Sequence, residues 1–528
     1  MGLCQIRCDA KLLVVVKIFV HKKWRNRGIA RRLLRKAIFQ SRLTWPNHLV
    51  VVNDVPISGM GFFQRFGFID MANSQFLVLP VKETIKEILT EDFSEAELFK
   101  KYPETPIILM EWLNEMEKRR SIPFLFLIQH HTLISRYFEG SPLLSGLVSC
   151  AVEIEGGKMN LTTSKRLDYF NSLSDSILNT GHYAEIEDKW RLFYAYVSAC
   201  LASLHYVNGN FKDALKECDY GLLKGNDLED DSLARFATYL CREKLPILSI
   251  LSDSAPTKEF PCPTPLSTSM KIPVLQLPSS ETFYNDFYSK LKPLIIRNLV
   301  DQWPAFSKWS FDYLVELCGH RIVPVEIGSK YTDEDWRQTL MTFYEYVTTY
   351  IFRPKAGMKN KNPSEPGYLA QHRLLDQIPE LCEDIIIPDY CAFGSDLNND
   401  ENSTFNVFIG PSGSISPLHT DPRHNFFCQI RGRKFVRLIN PKYKEKLYLF
   451  EDMLRRNSSQ INVEDPDLNE FPLFADVPCE DFVVEEGDCL FIPKGYFHHV
   501  RALTESISLS IWFGEAGGTP LDDGHTIG

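Results

Sequence analysis

Residues 416–422 read Ser-Pro-Leu-His-Thr-Asp-Pro, and this stretch carries the most informative pattern in the chain. In an extended strand, residues two apart point to the same side, so His419 and Asp421 can converge on one ion. Two imidazoles and one carboxylate on one face of an iron atom leave positions open for a co-substrate and O₂. The third ligand of such a site usually comes from a distant strand, and His498 follows the strand-like run at 488–492. The pattern therefore predicts an iron site of the oxygenase type.

Other residues near this stretch add to the prediction or compete with it. Lys434 begins a strand-like run at 434–439, where its ammonium could bind the distal carboxylate of 2-oxoglutarate. His424 and His499 are rival candidates for the imidazole ligands. Because His499 follows His498 directly, a strand would point its side chain to the opposite face. A lone His-x-Asp is more often a surface turn than a ligand pair, so the assignment depends on the whole set of motifs.

Further motifs lie upstream of this stretch. They are Trp303-Pro-Ala305, Lys308-Trp-Ser310, Val323-Pro-Val-Glu-Ile-Gly328, Tyr331-Thr-Asp-Glu-Asp-Trp336, Gly367-Tyr-Leu-Ala-Gln-His372 and Ile387-Pro-Asp-Tyr390. With them, the region from about 293 to 514 resembles the Jumonji-C (JmjC) iron and 2-oxoglutarate oxygenases. It is most similar to a branch described both as arginyl hydroxylases and as lysine demethylases. The resemblance implies a double-stranded β-helix, the cupin fold, and turn-and-strand patterns such as residues 483–492 are typical of its hairpins.

The resemblance also implies roles for individual residues. The catalytic metal ligands would be His419, Asp421 and His498. The 2-oxoglutarate pocket would be formed by Tyr368, Ser416, Asn425 and Lys434, and the substrate site by Glu326 and Trp336. The implied cofactors are Fe(II), 2-oxoglutarate and O₂. Two departures bear on co-substrate affinity and substrate choice: Phe408 stands where the resembled branch has Trp, and the stretch at 354–366 is longer than the family's loop.

The expected function is protein hydroxylation with arginine as the leading target. A guanidinium makes directional hydrogen bonds to a carboxylate such as Glu326 and stacks on a ring such as Trp336. The alternative is N-methyl-lysine demethylation, for example on a histone. A second alternative is a non-catalytic recruitment module, against which the intact His, Asp, His and Lys set argues. A zinc peptidase is not supported, because the chain contains no H-E-x-x-H.

Length and composition predict several domains in a reduced intracellular compartment. Single cores rarely grow beyond ~250–300 residues, and this chain has 528. Its net charge of −10 argues against sequence-specific nucleic-acid binding. The 13 cysteines include no C-x-x-C pair, which favours free thiols. The apolar run at 12–20 contains Lys17 and is too short for a bilayer. We therefore expect a nuclear or cytoplasmic protein that does not enter a membrane.

Residues 1–82 predict a partial α/β segment. A strand at 12–20 precedes a loop, Arg25-Asn-Arg-Gly-Ile-Ala30, and a helix at about 29–40. Small residues at a helix N-terminus can hold a pyrophosphate, and the segment resembles the C-terminal half of a cohesion-type GNAT acetyltransferase. The candidate coenzyme A loop consists of Arg25, Arg27, Gly28 and Ala30, and Asp54 matches an acidic position of that family. Since the strands that precede this loop in a complete transferase are missing from the sequence, we expect a degenerate domain, or a splice or gene-model junction, rather than a working transferase that uses acetyl-CoA.

The remaining boundaries follow from periodicity and composition, and the expected fold class is multidomain α+β. Residues 83–252 form a helical, tetratricopeptide-like region, with apolar residues at helical spacing in 190–207 and 211–223. Its aromatic stripe is expected to be core, and the region could recruit protein partners. The other predicted segments are a Pro/Ser/Thr-rich linker at 253–278, the JmjC domain at 279–514 and a disordered tail at 515–528. The expected partner of the enzyme is a protein or peptide that carries arginine or methyl-lysine.

Overall fold

The computed structural model describes the chain from 141 to 514 with short gaps, together with parts of the preceding region. Before residue 141 it describes five short strands between residues 2 and 78 and helical residues at 127, 134 and 137–138. The chain divides into two compact units, 1–123 with 397–400 and 124–396 with 401–528. The gaps after residue 141 are 156, 158, 182–184, 227, 229–230, 251–253, 257, 267–268, 334, 355–364, 395–402 and 453–454.

The first unit contains a sheet of five strands. They are β1 (Gly2–Asp9), β2 (Leu12–Val20), β3 (Leu49–Val52), β4 (Ile69–Asp70) and β5 (Leu77–Val78), in the order β1-β2-β3-β5-β4. β2 and β3 run parallel, and the other neighbours run antiparallel. The strand predicted at 12–20 is therefore confirmed. The candidate coenzyme A loop, the helix predicted at 29–40 and Asp54 lie outside the described residues.

Between residues 141 and 243 the described chain is helical. The helices are α1 (Pro142–Glu155), α2 (Leu161–Leu178), α3 (Asp188–Val207), α4 (Phe211–Lys224) and α5 (Ser232–Glu243), and each packs against the next. The helices predicted at 190–207 and 211–223 are confirmed. Phe193, Tyr194 and Tyr196 of α3 are buried, as expected for core residues. Among the described residues, no helix combines the length and apolar character needed to cross a membrane.

The rest of the second unit is a β-rich domain with short helices at its edges. These are α6 (Ser280–Phe283), α7 (Pro304–Lys308), α8 (Phe311–Cys318), α9 (Phe343–Tyr346) and α10 (Leu374–Gln377). Single turns of 3₁₀- or π-helix occur at Tyr284–Tyr288, Val300–Gln302, Val347–Ile351, Pro379–Asp384, Asp389–Gly394, Pro441–Lys446 and Pro472–Phe474.

Two sheets form the β-rich domain. Their strands are β7 (Ser269–Met270), β8 (Val274–Gln276), β9 (Leu294–Arg297), β10 (Ile322–Ile327), β11 (Arg337–Thr342), β13 (Gly367–His372), β14 (Thr404–Gly410), β15 (Ile415–Thr420), β16 (His424–Arg431), β17 (Lys434–Ile439), β18 (Cys479–Val484), β19 (Cys489–Ile492), β20 (Phe497–Ala502) and β21 (Ser506–Phe513). The major sheet has the order β11-β10-β13-β14-β21-β16-β19-β9-β8, and the minor sheet has the order β15-β20-β17-β18-β7. The double-stranded β-helix predicted for this region is confirmed.

Strand periodicity explains how one strand serves two cores. In β16, Phe426 packs with the short helices on the outer face of the major sheet. Its neighbour Phe427 points the other way and packs between the sheets with Val436 and Leu438 of β17. Successive side chains of a strand point to opposite faces, so both faces of β16 are buried. The interior between the two sheets is also the space that receives the candidate site residues.

The segment predicted as a linker lies along the sandwich. It contributes β6 (Ser254–Pro256), β7 and β8, of which β6 pairs with β12 (Phe352–Pro354). β7 pairs with β18 and β8 with β9. The backbone N–H of Phe260 also donates to the Leu503 carbonyl at 2.7 Å. Proline confines a strand to short stretches at a sheet edge, which is the position these strands occupy. The domain boundaries remain a prediction.

Candidate active site

The pairing of β15 with β20 brings the three predicted ligands together. His419 lies directly opposite His498, and Asp421 follows the end of β15. Asp421 Oδ1 is 3.9 Å from His419 Nε2, and its Oδ2 is 3.5 Å from His498 Nε2. The backbone N–H of Gly495 donates to the Asp421 carbonyl at 2.9 Å. This hydrogen bond connects the chain just after β15 to the turn before β20. Within the described residues this is the group of His, Cys, Asp and Glu side chains arranged to hold a metal, with all ligand atoms within 4.8 Å.

Hydrogen bonds on the far side of each imidazole select its tautomer. Nδ1 of His419 lies 2.7 Å from the Pro417 carbonyl oxygen, and Nδ1 of His498 lies 3.2 Å from that of Tyr496. A carbonyl oxygen only accepts, so each Nδ1 carries a proton, and in a neutral ring this leaves the lone pair that a metal binds on Nε2, the nitrogen nearer Asp421. Burial lowers the pKa of His498 well below its ordinary value, which keeps that ring neutral. Two neutral imidazoles and one carboxylate fit Fe(II) with open coordination positions.

The two rival histidines have other partners. His424 lies in the aromatic core, with its ring centroid 4.8 Å from that of Tyr288. Its Nδ1 accepts the backbone N–H of Lys494 at 3.3 Å, and burial lowers its pKa to about 4. His499 points to the opposite face from His498, as strand alternation predicts, and its Nε2 lies 2.6 Å from Glu464 Oε1. Neither ring faces the Asp421 carboxylate.

A buried ammonium lies beyond the metal ligands. Lys434, the first residue of β17, is 1% exposed, and its Nζ donates to the Tyr368 hydroxyl at 3.2 Å. The rings of Tyr368, Phe408 and Phe427 have centroids 5.3–5.7 Å from Nζ. No carboxylate of the described residues forms an ion pair with it, and burial lowers its pKa to about 7. An amine held in this way is a binding site for an anionic group, because a carboxylate would stabilise its charged form.

The other two residues of the predicted co-substrate pocket lie nearby. Ser416 of β15 lies against the Tyr368 phenol, where it opposes part of the pKa increase that burial causes. Asn425 of β16 donates from Nδ2 to Ser510 Oγ at 3.3 Å. Its Oδ1 is buried and has no hydrogen-bond partner among the described residues. Such an unpaired buried oxygen is costly unless a bound molecule or water donates to it. The polar groups of Lys434, Tyr368, Ser416 and Asn425 therefore fit a small dicarboxylate such as 2-oxoglutarate.

Of the predicted substrate residues, Glu326 lies on β10 of the major sheet and Trp336 directly precedes β11. Glu326 of β10 is directly opposite Tyr368 of β13. Burial raises the pKa of Glu326 to about 7, and the indole N–H of Trp336 opposes this shift. The N–H is near the carboxylate but does not form a hydrogen bond with it, because Trp336 Nε1 is a buried atom with no hydrogen-bond partner among the described residues. The carboxylate is thus available to an incoming donor.

Sequence reasoning did not select two residues that connect the substrate side to the metal side. The hydroxyl of Tyr331 lies 2.8 Å from Ser458 Oγ, and its ring is 6.3 Å from that of His419 at 87°. Tyr331 stands at the head of the 331–336 motif, so a signal for it existed. No sequence pattern pointed to Ser458. It reaches the site through a tertiary contact, an isolated β-bridge with His419.

A two-sheet β-helix with this His, Asp, His and Lys arrangement defines a cupin-type iron oxygenase. The chain matches the model of the cupin-like domain over residues 279–518. It is 40% identical over 354 residues to "Lysine-specific demethylase 8" of Danio rerio, covering 64% of this chain and 84% of that protein. The chain belongs to the JmjC-domain family of 2-oxoglutarate-dependent dioxygenases.

Other relatives span a similar part of the chain. "Lysine-specific demethylase JMJ30" of Arabidopsis thaliana is 34% identical over 370 residues, which cover 64% of this chain and 82% of the plant protein. "Jumonji C domain-containing protein 5" of Drosophila melanogaster is 32% identical over 349 residues, 64% of this chain and 83% of the fly protein. Residues 1–70 match the model of the acetyltransferase (GNAT) domain, in agreement with the resemblance stated for this segment.

Proposed function

We propose that this protein is an iron- and 2-oxoglutarate-dependent hydroxylase of arginine side chains in proteins or peptides. The observation that carries the proposal is the half-buried Glu326 carboxylate beside Trp336. A guanidinium forms paired hydrogen bonds with a carboxylate and stacks on an aromatic face, which a rigid fork of donors does better than an ammonium. The pKa of about 7 at Glu326 means that a bound cation would stabilise its ionised form.

In the proposed mechanism, His419, Asp421 and His498 would hold Fe(II). Bound iron, with 2-oxoglutarate and O₂, would supply the oxidising power that converts a C–H bond to C–OH. Lys434 and the Tyr368 hydroxyl would bind the distal carboxylate of 2-oxoglutarate. Asn425 and Ser416 would provide further polar contacts to it. These residues are buried or half-buried, so they orient the co-substrate while limiting access of water.

On the substrate side, Glu326 and Trp336 orient the target side chain toward the metal. The Tyr331 ring lies 6.3 Å from that of His419, and its hydroxyl is 2.8 Å from Ser458 Oγ. We expect a target that engages Glu326 to reach the metal site past the Tyr331 ring. This arrangement favours a long side chain with a terminal cation.

N-methyl-lysine demethylation is the alternative, and the names of two relatives favour it. The same chemistry at an N-methyl carbon releases formaldehyde, whereas hydroxylation at an arginine carbon leaves a stable oxygen on the peptide. The aromatic faces of Trp336 and Tyr331 could hold a methylated ammonium by cation–π contact. Such an ammonium cannot form the paired hydrogen bonds that Glu326 offers.

Mass spectrometry and a formaldehyde assay on matched peptides separate the two functions. We expect arginine peptides to gain one oxygen atom, with little formaldehyde from methyl-lysine peptides. Glu326→Gln should reduce arginine hydroxylation and leave peptide-independent 2-oxoglutarate turnover intact. His419→Ala is the control for loss of both activities. Efficient demethylation without arginine oxidation would overturn the proposal in favour of the alternative.

A further inference from the structure

A carboxylate from the helical region is buried against the start of the major sheet. Asp219 of α4 is fully buried, and its Oδ1 accepts Arg321 Nε at 2.8 Å and lies 2.7 Å from Arg321 Nη2. Its Oδ2 accepts the backbone N–H of Ile322, the first residue of β10, at 2.7 Å. Both oxygens of one side chain therefore bind the entry to the strand that carries Glu326.

Gln377 extends these contacts to the neighbouring strand. Its Nε2 donates to Asp219 Oδ1 at 2.8 Å and to the Ile322 carbonyl at 2.8 Å. Its Oε1 lies 2.8 Å from Nε2 of His372, the last residue of β13, and its carbonyl accepts Arg321 Nη2 at 3.0 Å. We call the set Asp219, Arg321, Gln377 and His372 the Asp219 clasp. All four members are buried.

The clasp holds two strands whose other ends carry Glu326, on the substrate side, and Tyr368, in the co-substrate pocket. Glu326 lies four residues after Ile322 in β10, and Tyr368 lies four residues before His372 in β13. The two residues face each other across the antiparallel pair. A strand is stiff along its length, so a change at the clasp is transmitted to this pair as a change of register or tilt.

The chemistry of the clasp suggests more than stabilisation. A buried ion pair is costly to desolvate, and apolar residues of similar volume often stabilise a core as well or better. What such a network provides is direction, because each hydrogen bond restricts both distance and angle. Five hydrogen bonds of the clasp end on Arg321, the Ile322 backbone or the side chain of His372.

We infer that Asp219 is a positioning residue of the oxygenase, which acts through β10 and β13 to hold Glu326 where it can bind the substrate. The helical region thereby influences the substrate site through Asp219, although none of its residues contacts the substrate. The inference deepens the proposed function and rests on it for the role of Glu326. The metal ligands and Lys434 lie on β15, β17 and β20 or beside them, and the clasp does not contact those strands.

The test compares two buried aspartates in the full chain. Asp219→Asn keeps an oxygen for the Ile322 N–H but removes the charge that binds Arg321. Asp384→Asn is the matched control, because Asp384 is 2% exposed and holds Lys308, Trp309 and Tyr313 without contacting β10 or β13. If Asp219→Asn does not fold, Asp219→Asn with Arg321→Gln removes the ion pair without leaving a buried charge.

Kinetics provide the first measurement. We expect the KM for an arginine peptide to rise roughly tenfold in the Asp219 variant, since a displacement near 1 Å can cost up to 100-fold. The KM for 2-oxoglutarate should rise less than the KM for the peptide, because Lys434, the second proposed partner of the distal carboxylate, lies on β17, which the clasp does not contact. More succinate should form per hydroxylated peptide. Asp384→Asn should leave these ratios unchanged. Equal effects of both variants, at a similar loss of thermal stability, would overturn the inference.

A second measurement does not depend on the substrate. In protein labelled with 5-fluorotryptophan, the ¹⁹F resonance of Trp336 is assigned with Trp336→Phe and that of Trp309 with Trp309→Phe. Asp219→Asn should shift the Trp336 resonance, and Asp384→Asn should shift only that of Trp309. If wild-type protein oxidises no arginine peptide but Trp336 shifts as expected, the proposed function fails while the mechanical connection stands. An unshifted Trp336 resonance in Asp219→Asn contradicts the connection itself.

Discussion

At the scale of single residues, the site depends on charged groups that burial has shifted toward neutrality. Lys434 has a pKa of about 7, below the ordinary 10.5, because burial penalises its ammonium. The unfolded chain therefore binds more protons than the folded one between pH 7 and about 10. Stability rises with pH through this window, and the full penalty of burial applies below pH 7. A bound carboxylate that pairs with the ammonium would remove much of the penalty.

The first prediction concerns proton uptake at Lys434. At pH 8 the free amine is largely neutral, so binding of 2-oxoglutarate should take up close to one proton as the ammonium forms. Anaerobic calorimetry in buffers of different ionisation enthalpy measures this uptake. Lys434→Met should abolish the uptake and weaken 2-oxoglutarate binding far more than Fe(II) binding, while Lys442→Ala, an exposed lysine, should behave like wild type. Uptake that persists in Lys434→Met would assign the proton to another group.

The second prediction concerns pH dependence at Glu326, whose pKa is about 7. Burial raises this pKa, so the carboxyl group is increasingly protonated as pH falls below 7 and can no longer pair with a guanidinium. The KM for an arginine peptide should therefore rise several-fold between pH 8 and pH 6. Glu326→Gln should show a higher KM with little pH dependence over this range. A wild-type KM that is constant with pH would argue against contact between this carboxylate and the substrate.

At the scale of elements, the ends of strands determine how tightly the pocket closes. Gly410, the last residue of β14, lies against the ring of Tyr368. A Cβ added at this position would lie 2.6 Å from Tyr368 Cδ2 and 2.5 Å from Ser414 Oγ. These distances are well inside van der Waals contact, so one of the neighbours would have to move. One of these neighbours is Tyr368, whose hydroxyl accepts a hydrogen bond from Lys434. The end of β14 is therefore in contact with the co-substrate pocket.

The third prediction follows from this close approach. Gly410→Ala should destabilise the fold by about 1–3 kcal/mol, as overpacking does in a well-packed core. Because the added methyl group displaces Tyr368, the KM for 2-oxoglutarate should rise, while Fe(II) affinity should change little. Thermal unfolding and steady-state kinetics measure the two effects. Tyr368→Phe, which removes the hydroxyl without the clash, is the comparison, and an unchanged KM in Gly410→Ala would show that the ring does not move.

At the scale of the whole molecule, the helices and the β-sandwich belong to the same compact unit. Arg321 of the β-rich domain is 1% exposed and finds its carboxylate on α4. His320 also lies 2.8 Å from the Pro246 carbonyl in the segment that follows α5. A buried cation without its partner is strongly destabilising, so the helical region and the sandwich stabilise each other.

The fourth prediction uses two truncations. Removal of residues 1–123 should preserve the melting temperature and 2-oxoglutarate turnover of the remainder, because it takes away a separate compact unit. Removal of residues 1–252 deletes Asp219 and uncovers Arg321, which is 1% exposed in the full chain. The same deletion removes Leu248 and Ile250, which pack against the core of the β-rich domain, so the fragment should be less stable and turn over less 2-oxoglutarate. A soluble, fully active fragment beginning at residue 253 would contradict the coupling between helices and sandwich.

Much of the site was accessible from the sequence because its signals are local. His419 and Asp421 are two residues apart in one strand, and the alternation of side chains that directs both to one side also turns His499 away from His498. The helices at 190–207 and 211–223 follow from apolar spacing in the same way. Lys434 was identified from its place in a strand-like run, whereas Glu326 was identified only through the resemblance to the JmjC family. Patterns of this kind need no knowledge of distant contacts.

The tertiary structure decided which of the distant residues meet. Ser458 reaches Tyr331 and His419 only because its loop lies along the edge of β15, and no periodicity marks it. The sequence 253–278 has the composition of a linker, yet edge pairing places parts of it in both sheets. Asp219 and Arg321 are 102 positions apart, and neither stands in a pattern that predicts a partner. Local sequence determines the direction of a side chain from its own backbone, whereas the pairing of buried charges depends on how separate elements pack around a common core.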